Sequence, residues 1–182
     1  MPIEYAHRPL DRAEATALHE ALKATPNILG YTVPELVRAR DVWVATDGEG
    51  GALAGACLSF DMPFGWTAIA ALLVLPEFRG RGIGARLFDL AWERAAAGRG
   101  RHLYALSRNP GVQAMMRERG MTLDGDLWRA PLAVHLFMFP YMSNPYRHTE
   151  AWRKRRLLRA SAPLLQGVWR NPAATRRRPA AP

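Results

Sequence analysis

Five residues of one short loop could bind a diphosphate group. They are Arg79, Gly80, Arg81, Gly82 and Gly84. An apolar strand is predicted to end at Pro76, so the loop leads from this strand into the first turn of a helix. The first amide groups of a helix lack intrahelical acceptors and lie at the positive end of the helix dipole. Because glycine backbone can approach phosphate oxygens and arginine adds charge-assisted hydrogen bonds, the pattern predicts an anion site here.

The spacing of these glycines excludes two common nucleotide loops. The chain contains no Gly-x-x-x-x-Gly-Lys-Ser/Thr, and Gly80, Gly82 and Gly84 are two residues apart rather than in the order Gly-x-Gly-x-x-Gly. What remains is Arg-x-x-Gly-x-Gly, with Val-x-Pro before it and Ile-Gly-x-x-Leu at the start of the helix. An ordinary strand-to-helix turn is the alternative interpretation.

This pattern resembles the pyrophosphate loop of the GNAT superfamily of acyl-CoA-dependent N-acetyltransferases. The matching positions are Val74, Pro76, Arg79, Gly82, Ile83, Gly84 and Leu87. The resemblance implies an α/β fold with a mixed central sheet flanked by helices, in which two central strands splay apart. It also implies acetyl-CoA as the acyl donor and no metal ion.

The resemblance further assigns the residues that would contact CoA. The pantetheine arm would lie in the opening between the strands TAIAALLVL and HLYALS, and the backbone of the first strand would bind the pantetheine and the thioester carbonyl. The side chain of Asn109 would bond the pantetheine, a role compatible with its predicted position as a helix N-cap before Pro110. The complete implied set is Leu72, Leu73, Val74, Arg79, Gly80, Arg81, Gly82, Ile83, Gly84 and Asn109.

The proton donor that the family uses for the departing thiolate is missing from this chain. In relatives it is a tyrosine four residues before the glycine that ends the fourth helix, and here that position is Met116. Methionine cannot donate a proton. Water or the hydroxyl of Ser107, Tyr104 or Tyr141 would then protonate the thiolate, or the domain would bind acyl-CoA without transferring from it efficiently.

The general base is not identified by the sequence. The central strand TAIAALLVL has no carboxylate, where many relatives carry a glutamate. Glu35 and Asp61 lie in segments that border the acceptor side in this fold, although each is also typical of a solvated surface group. His102 and His135 have a suitable ordinary pKa of about 6.5, but His135 lies in an apolar segment typical of a core and His102 opens a strand.

The predicted elements follow the order β-α-α-β-β-β-α-β-α-β-β over residues 3–139. Asp11 and Glu14 form a capping box for the first helix, and VPELVRAR is predicted to be the second. The segments DVWVAT and ALAGACLSF form a hairpin before the central strand, and a helix spans 82–97. After the strand HLYALS and the helix NPGVQAMMRERG, the segments MTLDGD and LWRAPLAVHLFMF are predicted to be the last strands.

Charge divides the 182 residues into two parts. Residues 1–140 contain 15 basic and 15 acidic side chains, whereas the remainder contains 10 basic and 1 acidic, which accounts for the net charge of +9. We therefore expect a GNAT domain at 1–140 and a basic, Pro/Arg-rich extension at 141–182, partly helical or disordered. This extension could dock on a partner, contact nucleic acid or another anionic surface, or form the arm of a homodimer.

Cysteine content and hydropathy bear on the cellular location of the protein. The lone Cys57 excludes an internal disulfide and is expected in the core. The longest apolar run is far shorter than the roughly 20 residues of a transmembrane helix, so we predict no transmembrane segment and a cytoplasmic location.

The expected function is transfer of an acetyl group from acetyl-CoA to a primary amine by direct attack in a ternary complex. The acceptor, a small molecule or a protein, has no transferable motif, although the neutral body and basic extension make polyamines and lysine-rich tails less favourable. The alternative is a catalytically weak domain that binds acyl-CoA while its basic extension contacts nucleic acid or another partner.

Overall fold

The computed structural model describes residues 2–25, 30–48, 51–97, 102–159 and 162–172, and in them seven strands form one mixed sheet. The strands are β1 (Ile3–His7), β2 (Asp41–Asp47), β3 (Leu53–Met62), β4 (Trp66–Val74), β5 (His102–Ser107), β6 (Thr122–Asp124) and β7 (Leu165–Trp169). Their order is β1-β2-β3-β4-β5-β7-β6. Only β4 and β5 pair in parallel, and the other neighbours are antiparallel. The predicted mixed sheet is confirmed.

The described residues also form six α-helices. They are α1 (Arg12–Ala24), α2 (Val33–Arg38), α3 (Ile83–Ala97), α4 (Pro110–Glu118), α5 (Leu132–Met142) and α6 (Pro145–Arg159). The predicted capping box of α1 is confirmed, because the Asp11 carboxylate accepts from the Glu14 amide at 2.8 Å and the Glu14 carboxylate accepts from the Asp11 amide at 3.0 Å. Thr32 and Glu35 form a second capping box at α2. Among the described residues, no helix combines the length and the apolar character that a membrane crossing requires.

The two central strands separate after a short parallel stretch. β4 and β5 pair only from Trp66 with His102 to Ile69 with Ala105. β4 stays paired with β3 as far as Val74, with a register shift that leaves Ala70 without a β3 partner. Beyond this bulge a gap opens between β4 and β5, as predicted, and a ligand could enter the sheet there.

The last predicted strand, LWRAPLAVHLFMF, is wrong. This segment forms a 3-10 turn at Leu127–Arg129 and then α5. Its apolar residues follow neither a strand nor a helix period, and such a run does not distinguish the two structures. In α5 the side chains of Ala133 and Val134 are buried, whereas Leu136 and Phe139 are exposed.

The partner of β6 lies instead in the part of the chain that we expected to be a separate extension. β7 inserts between β5 and β6, so α5 and α6 form a helical connection between two neighbouring strands. The expected boundary at residue 140 falls inside α5. Charge composition misplaced this boundary because several cations of α6 are used inside the fold. Residues 173–182 lie outside the described part.

Two apolar clusters hold the layers together. The larger cluster joins α1, α2, α3 and α4 to the sheet and includes Cys57, which is fully buried as predicted. Burial raises the pKa of the Cys57 thiol to about 12, so this side chain is an inert core group. The smaller cluster packs α5 on the far end of the sheet, where Trp66 and Tyr104 meet Ala133 and Val134.

Candidate functional site

A cavity of about 800 Å³ occupies the gap between the splayed strands. Its floor consists of residues 68–74 of β4, residues 104–107 of β5 and the two residues that follow β5. At one end it reaches the start of α3 and α4, and at the other end it reaches α1, α5 and α6. The lining side chains at this second end are Ala24, Thr25, Tyr31, Phe137, Met138, Tyr141, Ala151 and Leu164. The cavity therefore connects the predicted diphosphate loop with an aromatic pocket.

The loop before α3 has the geometry of an anion site. The first hydrogen bond of this helix runs from the Arg86 amide to the Gly82 carbonyl at 3.1 Å, so the preceding amide groups point out of the helix end. Gly80 and Gly82 adopt left-handed φ angles of +78° and +74°, which disfavour any side chain. A Cβ at either glycine would meet no atom within 4 Å, so the space in front of the loop is open.

The predicted CoA-binding residues fall into three groups. Those that line the cavity are Leu72, Leu73, Val74, Arg79, Gly84 and Asn109. Gly80, Arg81 and Gly82 lie on the exposed loop beside it. The side chain of Ile83 is buried in the core, so only its backbone amide could contact a ligand.

Asn109 begins α4, as its sequence position predicted. Its Oδ1 accepts from the Gly111 amide at 2.8 Å, and the residue lines the cavity at the same time. The amide of Asn109 donates to Ser107 Oγ at 3.0 Å. This contact occupies an acceptor site of the serine hydroxyl, which keeps its own proton available for donation.

The helix position that carries the family's tyrosine does not face the cavity. Met116 is fully buried and packs under Gly167 of β7, where a Cβ would overlap the methionine methyl group. The neighbouring Met115 lines the cavity instead. Because both residues are methionine, this part of α4 offers no proton donor in either orientation.

The three residues whose hydroxyl groups are predicted as substitutes, Ser107, Tyr104 and Tyr141, all line the cavity. Burial raises the pKa of Tyr104 to about 12. Burial also raises the pKa of Tyr141, against the opposing effect of the Arg147 charge. Both phenols are therefore protonated near neutral pH and act as hydrogen-bond donors.

The two predicted carboxylate bases do not line the cavity. The Glu35 carboxylate accepts from the Thr32 amide at 2.8 Å and from Arg147 Nη2 at 2.9 Å. Burial alone would raise the pKa of Glu35, but the bonds from Thr32 and the charge of Arg147 lower it below its usual value. Asp61 is exposed on β3 and accepts from the Thr67 hydroxyl at 3.2 Å. Both carboxylates have structural partners.

The two histidines also lie outside the cavity lining. The Nδ1 atom of His102 accepts from the Asn171 amide at 3.1 Å, and burial together with the Arg170 charge lowers the pKa of this histidine. His135 is exposed on α5, with its ring 6.4 Å from the ring of Trp128. The structure therefore brings the hydroxyl candidates into the cavity and leaves the carboxylate and histidine candidates outside it.

Sequence reasoning missed the buried Arg147, which supports the aromatic end of the cavity. This arginine is 2% exposed, and its guanidinium carbon lies 3.8 Å from the ring centre of Tyr141 and 4.8 Å from that of Tyr31. It also donates to Glu35 and to the Gly30 carbonyl. The ring centres of Tyr31 and Tyr141 lie 5.8 Å apart. No sequence spacing links these residues, so only their meeting in space could reveal the cluster.

Other cations of α6 also bind groups within the fold. Lys154 Nζ donates to the Leu22 carbonyl at 2.6 Å, and Arg153 Nη2 donates to the Lys23 carbonyl at 2.8 Å. The Glu150 carboxylate lies 2.7 Å from Arg153 and 3.6 Å from Lys154. These side chains satisfy carbonyl groups at the C terminus of α1, where positive charge is favourable. Two of the four cations at 153–156 therefore hold α6 against α1.

Comparison with known proteins agrees with this architecture. The sequence model described as "Acetyltransferase (GNAT) family" matches residues 10–121. No curated protein sequence matches the chain. N-acetylglutamate synthase from Neisseria gonorrhoeae, solved with coenzyme A and N-acetyl-glutamate, is 19% identical with a TM-score of 0.62. The match covers 94% of this chain and 35% of that one, so this chain spans about a third of the synthase.

Two further structures illustrate how much of the chain is shared. Rv2747 from Mycobacterium tuberculosis, in complex with CoA and NLQ, is 16% identical with a TM-score of 0.63, over 91% of this chain and 98% of that one. The phosphinothricin acetyltransferase of Sinorhizobium meliloti, in complex with AcCoA, is 20% identical with a TM-score of 0.53, over 68% and 77%. At such identities the likeness shows the fold. The match to the family model covers more than half of the residues, so the chain belongs to the GNAT acetyltransferase family.

Proposed function

We propose that the protein transfers an acetyl group from acetyl-CoA to a primary amine in a ternary complex. The observation that carries this proposal is the continuous cavity between the loop before α3 and the aromatic pocket on α5 and α6. Two reactants could enter from opposite ends and meet between the splayed strands. Holding them together can remove about 7–11 kcal/mol of the barrier, so a covalent enzyme intermediate is not required.

The donor end would hold CoA as the family resemblance implies. The exposed amides at residues 82–85, together with Arg79 and Arg81, would bind the diphosphate, and Asn109 would bond the pantetheine. Backbone groups of residues 72–74 would bind the thioester carbonyl. A preorganised donor at a developing oxyanion contributes roughly 3–4 kcal/mol, so this backbone could matter more than any side chain.

The attacking amine nitrogen would form the new C–N bond as the C–S bond breaks and the thiolate leaves. We infer that Ser107 donates a hydrogen bond to this thiolate, because the residue lines the cavity and its oxygen already accepts from the Asn109 amide, which leaves its proton available. In the described part of the chain no carboxylate or histidine lines the cavity. The acceptor amine would therefore lose its proton to water.

The alternative, a domain that binds acyl-CoA without transfer, is supported by the methionines at 115 and 116. It is also supported by the lack of a carboxylate or histidine in the described lining of the cavity. The two functions differ in one product, free CoA. Calorimetry with acetyl-CoA tests the shared premise, and thiol release from acetyl-CoA with a panel of primary amines tests transfer. Binding with no thiol release from any amine would favour the alternative, whereas no binding at millimolar ligand by folded protein would overturn both.

Contact with nucleic acid stays a proposal for the basic part of the chain. Arg155 stacks on Trp152 at 4.2 Å, and both residues are exposed, as is Arg156. Removal of residues 173–182 leaves β7 in place and deletes three arginines. We expect this truncation, combined with Arg155→Gln and Arg156→Gln, to abolish salt-sensitive DNA or RNA binding. Equal binding by the full chain and by this variant would contradict the proposal.

We also propose a homodimer, supported by the exposed apolar side chains of Leu132, Leu136 and Phe139 on α5. Light scattering of the full chain should show a mass twice that of the monomer, and Phe139→Glu should return it to the monomer mass. A monomer at high micromolar concentration would contradict this proposal.

We also propose a cytoplasmic location, which the proposed use of acetyl-CoA supports.

A further inference from the structure

The wall of the cavity carries charge of one sign. In the described part of the chain, the permanently charged side chains that line it are Arg79 and Arg108, and neither lysine nor carboxylate is among them. Arg79 belongs to the diphosphate end, where its Nε donates to the Val74 carbonyl at 3.2 Å. Arg108 directly follows β5 and reaches toward the connection between α6 and β7. Arg108 is therefore a second cavity arginine that lies outside the loop before α3.

Arg108 has spare hydrogen-bonding capacity. It is half-buried, and its Nη1 donates to the Ala162 carbonyl at 3.2 Å. No carboxylate pairs with it among the residues that the structure describes. A guanidinium has five N–H donors, and a partly buried cation without a counter-charge is costly. A ligand carboxylate would supply the counter-charge and could accept two parallel hydrogen bonds.

Toward α5 and α6 the lining of the same cavity is apolar or aromatic. Leu164 and Ala151 lie on the α6 side, and Phe137, Met138 and Tyr141 lie on α5. The buried Arg147 behind the tyrosine ring is paired with Glu35, so this wall adds little net charge. An apolar or aromatic side chain would be accepted there, whereas a second ammonium group would find no partner.

We infer that the acceptor is an α-amino acid with an apolar or aromatic side chain, whose carboxylate binds Arg108. This inference rests on the proposed transferase function. The amine would point along the cavity toward residues 72–74, the carboxylate would pair with Arg108, and the side chain would occupy the pocket of α5 and α6. Polyamines lack the carboxylate, and in peptide N termini an amide replaces it.

A matched pair of substrates tests this inference with the full chain. Phenylalanine and phenylalaninamide share a side chain and an amine and differ in the carboxylate. Thiol release from acetyl-CoA gives kcat/KM for each, compared per concentration of unprotonated amine because the amide is less basic. We expect phenylalanine to be preferred by about 10- to 100-fold, the usual effect of a hydrogen bond to a charged group. Spermidine should be a poor acceptor.

Variants of Arg108 separate recognition from structure. Arg108→Gln should bring the ratio of phenylalanine to phenylalaninamide close to one while the Kd of CoA stays within twofold, and Arg108→Lys should restore part of the ratio. A merely structural arginine would lower both rates equally. A wild-type enzyme that uses the amide as well as the acid would overturn the inference even if no variant folds. An unchanged ratio in Arg108→Gln, or a tenfold loss of CoA affinity in that variant, would also overturn the inference.

Failure of this inference can be distinguished from failure of the proposed function. Thiol release with an amide or a simple amine, without preference for the acid, would retain the transferase and reject the carboxylate site. If no amine releases thiol, calorimetric titration of the CoA-loaded protein with phenylalanine and phenylalaninamide decides the inference on binding alone. Equal or absent binding of the two would overturn it.

Discussion

The guanidinium of Arg147 lies against the ring of Tyr141, with its central carbon 3.8 Å from the ring centre. Through this contact and its ion pair with Glu35, the arginine links α6, α5 and α2 around the aromatic end of the cavity. The aromatic rings cover the guanidinium, whereas the carboxylate of Glu35 stays partly exposed. The helical connection between β6 and β7 is therefore part of the site as well as of the fold.

Replacing Arg147 should destabilise the protein strongly. Arg147→Met would leave the Glu35 carboxylate without its cation and the Gly30 carbonyl without its donor, and loss of one partner of a buried pair costs about 3–5 kcal/mol. Because Glu35 is partly exposed, we expect roughly 2–4 kcal/mol in urea denaturation. Arg156→Met, an exposed cation on the same helix, should cost less than about 0.5 kcal/mol. Similar costs for both variants would contradict the structural role of the pair.

Lys154 should make stability increase with pH. Burial lowers its pKa to about 8, against the opposing charge of Glu150, whereas the unfolded side chain keeps an ordinary value near 10.5. Between these values the unfolded chain binds more protons than the folded chain, so the free energy of unfolding from this group rises as pH increases. Below about pH 8 the full cost of burying the ammonium is present.

Comparison with Lys154→Met isolates this effect, because Cys57 and the tyrosines titrate in both proteins. The difference in unfolding free energy, wild type minus variant, should increase by roughly 1–3 kcal/mol from pH 7 to pH 10. The measurement is chemical denaturation at several pH values. A difference that is flat or decreases with pH would show that the ammonium is well solvated or more strongly paired than these contacts indicate.

Ser107→Ala should slow the chemical step without weakening donor binding. If the hydroxyl stabilises the departing thiolate, kcat should fall by about 10-fold while the KM for acetyl-CoA changes little. Tyr104→Phe is the matched control, because it removes a cavity hydroxyl on the opposite face of β5 and should change kcat by less than about threefold. A larger fall in kcat from Tyr104→Phe than from Ser107→Ala would show that Tyr104, and not Ser107, stabilises the thiolate.

Gly82→Trp should abolish acetyl-CoA binding by filling the open space before α3. We expect at least about a 100-fold increase in Kd by calorimetry, since both the loop backbone and the diphosphate position would be blocked. Gly51→Trp controls for backbone strain, because Gly51 also has a left-handed φ of +64° and no atom within 4 Å of a Cβ. Unchanged binding in Gly82→Trp would show that the diphosphate lies elsewhere.

The sequence by itself determined the parts of this protein that depend on contiguous residues. The loop at 79–84 combines strand end, glycines, arginines and helix start within one short segment, so the family and the proposed diphosphate site could be predicted from it. The capping box of α1 and the N-cap at Asn109 are equally local. Each is a contact between residues at most three positions apart.

Only the tertiary structure decided the aromatic end of the cavity. The all-round apolar segment of α5 has no period that distinguishes helix from strand, and β7 is placed by pairing with β5 across more than fifty residues. Whether Met115 or Met116 faces the cavity depends on packing against Gly167 of that strand. The charges of Arg147 and Lys154 were visible in the sequence, but their partners, Glu35 and the Leu22 carbonyl, are more than a hundred residues away. Such contacts follow from the closed fold, because no local pattern encodes them.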